Sequence, residues 1–217
     1  MIKGIIFDFD MTLVDTLEIG HKIFCEMERK YGLNVFSLSE RKVWGESRKN
    51  FLSAVWRANK HKIPLEKINK IHLAVMDKFY KNCRLKDIEV LKFFQNHKIK
   101  LGIISNNSNR IVKKVLRMPV NRVIKFDAVL SAEKSTDNVS KVSLIKKCLR
   151  RLNLKKSEAI YVGDHIMDII AAERVDVISA GIPTGLYSKK ELKKHHPDLL
   201  INNFRDLKKY ILVNNII

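Results

Sequence analysis

Ile2-Lys3-Gly4-Ile5-Ile6-Phe7-Asp8-Phe9-Asp10-Met11-Thr12-Leu13-Val14-Asp15 carries an apolar run that ends in carboxylates. A short run of branched and aromatic residues reads as a strand buried on both faces, as in a parallel sheet. Similar runs recur from Lys100 to Ser105, Phe126 to Ser131, Ala159 to Val162 and Asp176 to Ser179. Helical patterns separate them. Across Lys141 to Leu152, Val142, Ile145, Leu149 and Leu152 share one face, and Lys146, Lys147, Arg150 and Arg151 the other. Strand then helix, repeated, predicts a doubly wound α/β domain.

The rhythm breaks directly after the first strand. Thr16 to Tyr31, Ser47 to Asn59 and Pro64 to Asn82 read as successive helices without a convincing strand, and alternation resumes near Lys86. The expected division is a core of residues 1–15 and 86–217 with a helical insertion over 16–85. An insertion at the carboxyl end of a strand lies where such sheets bind ligands.

Composition narrows the function. The 217 residues are 46% apolar, enough for one domain or one and a half, and disorder is not expected as the main state. Lys+Arg 42 against Asp+Glu 23 leaves +19, which attracts phosphate in any form. Cys25, Cys83 and Cys148 form no CxxC pair, so neither a disulfide framework nor a structural zinc site is expected, and all three read as small buried hydrophobes. Acidic residues interrupt the N-terminal apolar run, and no stretch approaches the ~18 apolar residues of a membrane span. A cytoplasmic protein is expected.

Three strand ends carry chemistry. Asp8 and Asp10 are costly to bury unless a cation or a reaction needs them, although Asp10 could also cap a turn. Gly163-Asp164-His165-Ile166-Met167-Asp168 follows a second strand, and the spacing of Asp164 and Asp168 lets both carboxylates face one point. Both also suit the N-terminus of a helix, as cap and dipole partner. Together the carboxylates of Asp8, Asp10, Asp164 and Asp168 favour a hard divalent cation such as Mg2+. Ser105-Asn106-Asn107, before a helix with Ile111, Val112 and Val115 on its apolar face, suits a phosphate, or simply a helix cap.

As an ordered set, DxDxTLxD, a Ser after a second strand, a Lys and GDxxxD resemble the haloacid dehalogenase superfamily of phosphotransferases over nearly the whole chain. The resemblance implies a Rossmann-like core with a type 1 helical cap, as in phosphoglycolate phosphatases and β-phosphoglucomutase. It implies Asp8 as nucleophile, Asp10 as general acid then base, and Ser105 with Asn106 as phosphate-binding residues. Asp8, the Asp10 backbone carbonyl and Asp164 would hold Mg2+, with Asp168 binding it directly or through water. Thr12 and Asp15 would orient the loop. The family's Lys, about two dozen residues before Gly-Asp, maps onto Lys141 in preference to Lys134, with Val142 where Pro is usual. Met11 stands for the common Gly and His165 for the common Ser or Thr.

Asp10 separates this chain from dehalogenases, which lack the acid, and from P-type ATPases, which carry Lys there. The implied activity is Mg2+-dependent hydrolysis of a small phosphorylated metabolite, of phosphoglycolate or sugar-phosphate type, by a monomer or homodimer. A phosphomutase or phosphonatase of the same superfamily stays open. In the insertion, Glu46, Ser47, Arg48 and Lys49 resemble the cap loop that reads the leaving group; Ser47 equally suits a helix cap, and Lys49 would be the phosphonatase's Schiff-base residue. A basic nucleic-acid-binding protein is the rival class. Its doublets, such as Lys146-Lys147 and Lys193-Lys194, lie on separate polar helix faces without an aromatic run, so nucleic acid is not expected as partner.

Overall fold

The computed structural model describes residues 1–35, 48–132 and 140–215, with the side chains of 48, 132 and 215 left aside. Six parallel strands form one sheet in the order β3-β2-β1-β4-β5-β6. They are β1 Gly4–Asp8, β2 Lys100–Ser108, β3 Ala128–Ala132, β4 Ala159–Gly163, β5 Ile178–Gly181 and β6 Leu199–Leu200. The helices are α1 Leu17–Tyr31, α2 Arg48–Ala58, α3 Leu65–Phe79, α4 Ile88–Asn96, α5 Asn109–Leu116, α6 Lys141–Leu152, α7 Ile166–Val175, α8 Lys189–Lys193 and α9 Phe204–Asn215.

Every residue of β1 is buried, as its unbroken apolar run demands. Alternation sends Ile5, Phe7 and Phe9 into one apolar cluster and Ile6 into another, with Ile104, Tyr161 and the inner face of α6. On α6 that face is Leu144, Ile145, Cys148, Leu149 and Leu152. β1 pairs with β2 from Gly4↔Lys100 to Asp8↔Ile104, and with β4 from Gly4↔Ala159 to Phe7↔Val162. The strand order reverses at β1, so the crevice beyond its carboxyl end is the ligand position of such a sheet.

Between β1 and α4 lie helices α1 to α3 and a 3-10 turn, Tyr80–Asn82. The outgoing and returning chains run side by side, with Val14 bridged to Leu85 and Lys86 N–H donating to Leu13 O at 2.9 Å. Among the described residues no helix is long and apolar enough to cross a membrane.

Some boundaries move for local reasons. β5 starts at Ile178, because Asp176, expected in the strand, is the left-handed cap that ends α7 at φ 65°. β6, which the sequence reading lacks, has only two residues; it is docked by Asp198, whose carboxylate accepts from the N–H and hydroxyl of Ser179 at 2.8 Å. β2 runs on to Ser108 through an irregularity after Ser105. Cys25 corrects the expectation of three buried thiols: it is exposed, because α1 turns Ile23, Phe24, Glu26 and Met27 inward. Burial pushes the Cys83 and Cys148 thiols up to about 12.

Candidate active site

β1 delivers Asp8 at its last position, and the chain then turns sharply, the N–H groups of Leu13 and Val14 both donating to Phe9 O at 3.0 Å. The turn needs Met11 at φ 60°, a left-handed conformation that costs an L-residue roughly 1–2 kcal/mol. Three hydrogen bonds hold it there. Met11 N–H donates to Thr16 Oγ1 at 3.0 Å, and its carbonyl accepts from Lys86 Nζ at 2.7 Å and Thr184 Oγ1 at 2.6 Å. A methionine can therefore stand where the resemblance expects glycine, because the neighbours over-determine the backbone.

Asp8 is buried and lies 3.1 Å from Lys141 Nζ. Lys141 is the first residue of α6, capped by Ser140, whose Oγ accepts from Ser143 N–H at 3.2 Å. A cation is disfavoured at a helix N-terminus; here it is held by Asp8 on one side and a close ion pair with Asp168 on the other. Burial pulls the Lys141 ammonium down, but Asp168 and Asp8 more than offset it and the group stays charged. Lys134, the rival lysine, lies outside the described residues.

β4 ends at Gly163, where a Cβ would stand 2.3 Å from Asp168 Cγ, so only glycine lets α7 bring Asp168 back over the strand. Asp168 accepts from Tyr161 OH at 2.7 Å and from His165 N–H at 3.0 Å, closing a capping box in addition to its pairing with Lys141. The helix-cap reading therefore holds for Asp168 alongside its approach to the site. Asp164 accepts from Thr12 Oγ1 at 2.6 Å, which joins the first motif to the last. Asp15 is exposed.

Oxygens of Asp8, Asp164 and Asp168 lie within 4.8 Å of one another. Asp10 stands apart from this cluster. Its Oδ1 accepts from Tyr80 OH at 2.5 Å and its Oδ2 from Asn107 Nδ2 at 3.0 Å. Burial raises the Asp10 carboxyl and these donors partly lower it again. Burial also raises Asp8 well above the usual carboxylate range, with Lys141 opposing and Asp168, Asp164 and Asp10 adding to the rise. Asp164 is raised from 3.8 to about 7, by burial first and then by Asp168. Tyr80 is pushed well up, by burial and the adjacent Asp10.

Ser105, Asn106 and Asn107 line the same cavity, of about 160 Å³, together with Asp8, Asp10, Lys141 and Asp164. Ser105 Oγ accepts from Asn107 N–H at 3.0 Å. Of the expected cap residues, Glu46 and Ser47 lie outside the described residues, Arg48 begins α2 with its side chain left aside, and Lys49 is exposed on the first turn of α2. Tyr80, Tyr161, Lys86, Thr184 and Asn107 are site residues to which the sequence assigns no role. Only Asn107 carried a local signal, its place in the strand-end run.

The donor set fits a divalent cation. It is all oxygen, and among the described residues one buried ammonium, Lys141, paired with Asp8 and Asp168, stands in a cavity that also holds the carboxyls of Asp10 and Asp164. Burial first, and then repulsion among these carboxyls, raises Asp8 and Asp164.

A doubly wound sheet with this carboxylate crevice defines a class that sequence comparison names. The chain belongs to the haloacid dehalogenase-like hydrolases, whose family profile matches residues 5–182. Among individual relatives, Pyrophosphatase PpaX of Oceanobacillus iheyensis is 24% identical over 225 aligned positions, covering 95% of both chains. A crystal structure described as a predicted phosphoglycolate phosphatase from Haemophilus somnus superposes with a TM-score of 0.76 at 19% identity, covering 96% of this chain and 97% of that one. A predicted phosphatase from Clostridium acetobutylicum gives 0.75 at 22% identity, over 98% and 99% of the two chains.

Proposed function

We propose that this chain is a Mg2+-dependent phosphatase that hydrolyses a phosphate monoester of a small metabolite through an aspartyl-phosphate intermediate on Asp8. The observation that carries this reading is the pairing of Asp8 with Lys141 at 3.1 Å in a cavity that also holds Asp10 and Ser105. Residues 1–15 and 86–217 act as the catalytic core and 16–85 as a cap that excludes water during transfer.

Asp8 and Asp164 would hold Mg2+ with the Asp10 carbonyl, and Asp168, whose oxygens are engaged by Lys141, Tyr161 and His165, would support the ion less directly. When bound, the ion offsets the repulsion between the Asp8 carboxylate and an anionic phosphoryl group. Lys141, Ser105 and Asn106 orient that group for in-line attack. An Asp8 oxygen bonds to phosphorus as the ester P–O bond breaks, and Asp10 gives its proton to the departing alkoxide. Asp10, now a carboxylate, takes a proton from water as the water oxygen attacks phosphorus, which releases phosphate and regenerates Asp8. Burial, by raising Asp10, supports its holding the first proton.

The names of the relatives bring pyrophosphate and phosphoglycolate into the substrate panel. The test is phosphate release from these, sugar phosphates, nucleotides and p-nitrophenyl phosphate, with and without Mg2+, for wild type and Asp8→Asn. Metal-dependent release lost in the variant is expected. Release that survives Asp8→Asn, or no release from any substrate, refutes the reading.

A further inference from the structure

The cavity in front of Asp8 has two unlike ends. The end formed by the strands carries the carboxylates, Ser105, Asn107 and Lys141. The opposite end, formed by α1, α2, α3 and the turn after α3, presents Ile23, Phe24, Phe51, Met76, His72 and Tyr80. These are packed against one another: the Phe24 and Phe51 rings stack at 5.7 Å between centroids with 15° between planes, and the His72 ring lies 4.6 Å from Phe51. Tyr80 has its hydroxyl committed to Asp10 and leaves its ring to the wall.

The leaving group of a phosphate monoester projects from phosphorus away from the attacking Asp8 oxygen, past the acid that protonates it. With Asp10 as that acid, the leaving group meets the wall of Ile23, Phe24, Phe51 and Met76. Among the described lining residues the ammonium present is Lys141, and it is already paired with Asp8 and Asp168. Against the described residues of this wall a second phosphate or a carboxylate would be stripped of water by hydrocarbon, which is strongly unfavourable. An apolar group in the same place gains from burial.

Resting on the phosphatase reading above, we infer that the preferred substrates are phosphate monoesters of uncharged, apolar alcohols or phenols, and that Ile23, Phe24, Phe51 and Met76 set this preference. Pyrophosphate and phosphoglycolate, whose leaving groups are anions, are then poor substrates, unlike what the names of the relatives suggest.

The experiment compares kcat/KM of the full chain, at saturating Mg2+, for methyl, ethyl, propyl, butyl and pentyl phosphate, phenyl phosphate, phosphoglycolate and pyrophosphate. The leaving-group basicity changes little along the alkyl series, so its slope reports the wall. The expected slope is a gain of about fourfold per methylene, levelling once the cavity is full. Phosphoglycolate and pyrophosphate fall below butyl phosphate, and Met76→Lys flattens the slope while raising phosphoglycolate. A flat wild-type series, or pyrophosphate or phosphoglycolate turned over faster than butyl and phenyl phosphate, overturns the inference and leaves the phosphatase reading intact. Absence of release from every member refutes that reading, and this inference with it. The wild-type slope decides the matter without any variant.

Discussion

Asp164→Asn should stabilise the metal-free protein while removing its activity. The Asp164 carboxyl moves from 3.8 to about 7 on folding, mainly through burial and the neighbouring Asp168. Its folded value lies above its unfolded one, so the folded form binds the proton more tightly. Ionisation therefore costs nothing at pH well below 3.8, costs more as pH rises towards 7, and costs its full amount above that. At 1.36 kcal/mol for each pH unit, the move from 3.8 to about 7 corresponds to about 4 kcal/mol at pH 8. Asp8 shares the pocket with Asp164 and the two carboxyls repel each other, which lowers the part released by neutralising Asp164 alone to about 1–2 kcal/mol. Asparagine has nearly the same shape and keeps an oxygen to accept from Thr12, now 2.6 Å away. In EDTA at pH 8 the variant should melt roughly 2–8 °C above wild type, and the difference should shrink towards zero at pH 4.5. Added Mg2+ should raise the melting temperature of wild type and leave that of the variant unmoved. A variant no more stable than wild type at pH 8, or a gain independent of pH, would refute the charge argument.

Lys141→Met leaves Asp8 and Asp168 buried without their cation, so the metal-free protein should lose roughly 3–5 kcal/mol in urea unfolding at pH 8. Recovery of much of that loss as the pH is lowered and the raised Asp8 carboxyl takes up its proton distinguishes an electrostatic role from packing. Tyr80→Phe removes the hydroxyl that donates to Asp10 at 2.5 Å. Turnover of alkyl phosphates, which need the acid, should fall by up to roughly 10²-fold, with p-nitrophenyl phosphate, a far better leaving group, much less affected. Equal losses on both substrates would show that Tyr80 serves packing alone. Gly163→Ala places a carbon 2.3 Å from Asp168 Cγ, which must displace Asp168 from Lys141; activity should drop more steeply than stability, measured by phosphate release beside thermal melting.

Local chemistry decided how much of the site was legible. Asp8, Asp10, Ser105 and Asp164 stand at strand ends, where a run of apolar residues stops at a polar one, and that transition is visible in one dimension. Lys141 carries a weaker mark, a cation at a helix start behind the capping Ser140 that the resemblance singles out over Lys134, and its partners Asp8 and Asp168 show only in the fold. Tyr80 carried none. It lies 70 residues from Asp10, at the end of a helix whose pattern reads as ordinary core, and only the return of the chain beside Val14 and Leu85 brings its hydroxyl to the acid. The end of α7 misled for the opposite reason: Asp176 adjoins a Val-Ile-Ser-Ala run, and its left-handed capping conformation is a backbone property that this apolar pattern hides.

Asp10 links the two ends of the cavity. One of its oxygens is held by Asn107 from the sheet and the other by Tyr80 from the turn that closes the helical segment. Asp77 on α3 is in turn paired with Lys114 of α5 at 3.1 Å and with Arg110, so the end of α3 is fixed to the core just before Tyr80. A change in the angle of α3 would break the Tyr80 contact before it disturbed Asp8, which is held by Lys141 from the sheet side. On the proposed roles, the nucleophile Asp8 is then held by the sheet side alone, and the acid Asp10 is shared with the helical part. The proposed mechanism then predicts that protonation of the leaving group proceeds only while the helices stand over the sheet, and that water attack on the aspartyl phosphate depends on the same contact of Tyr80 with Asp10.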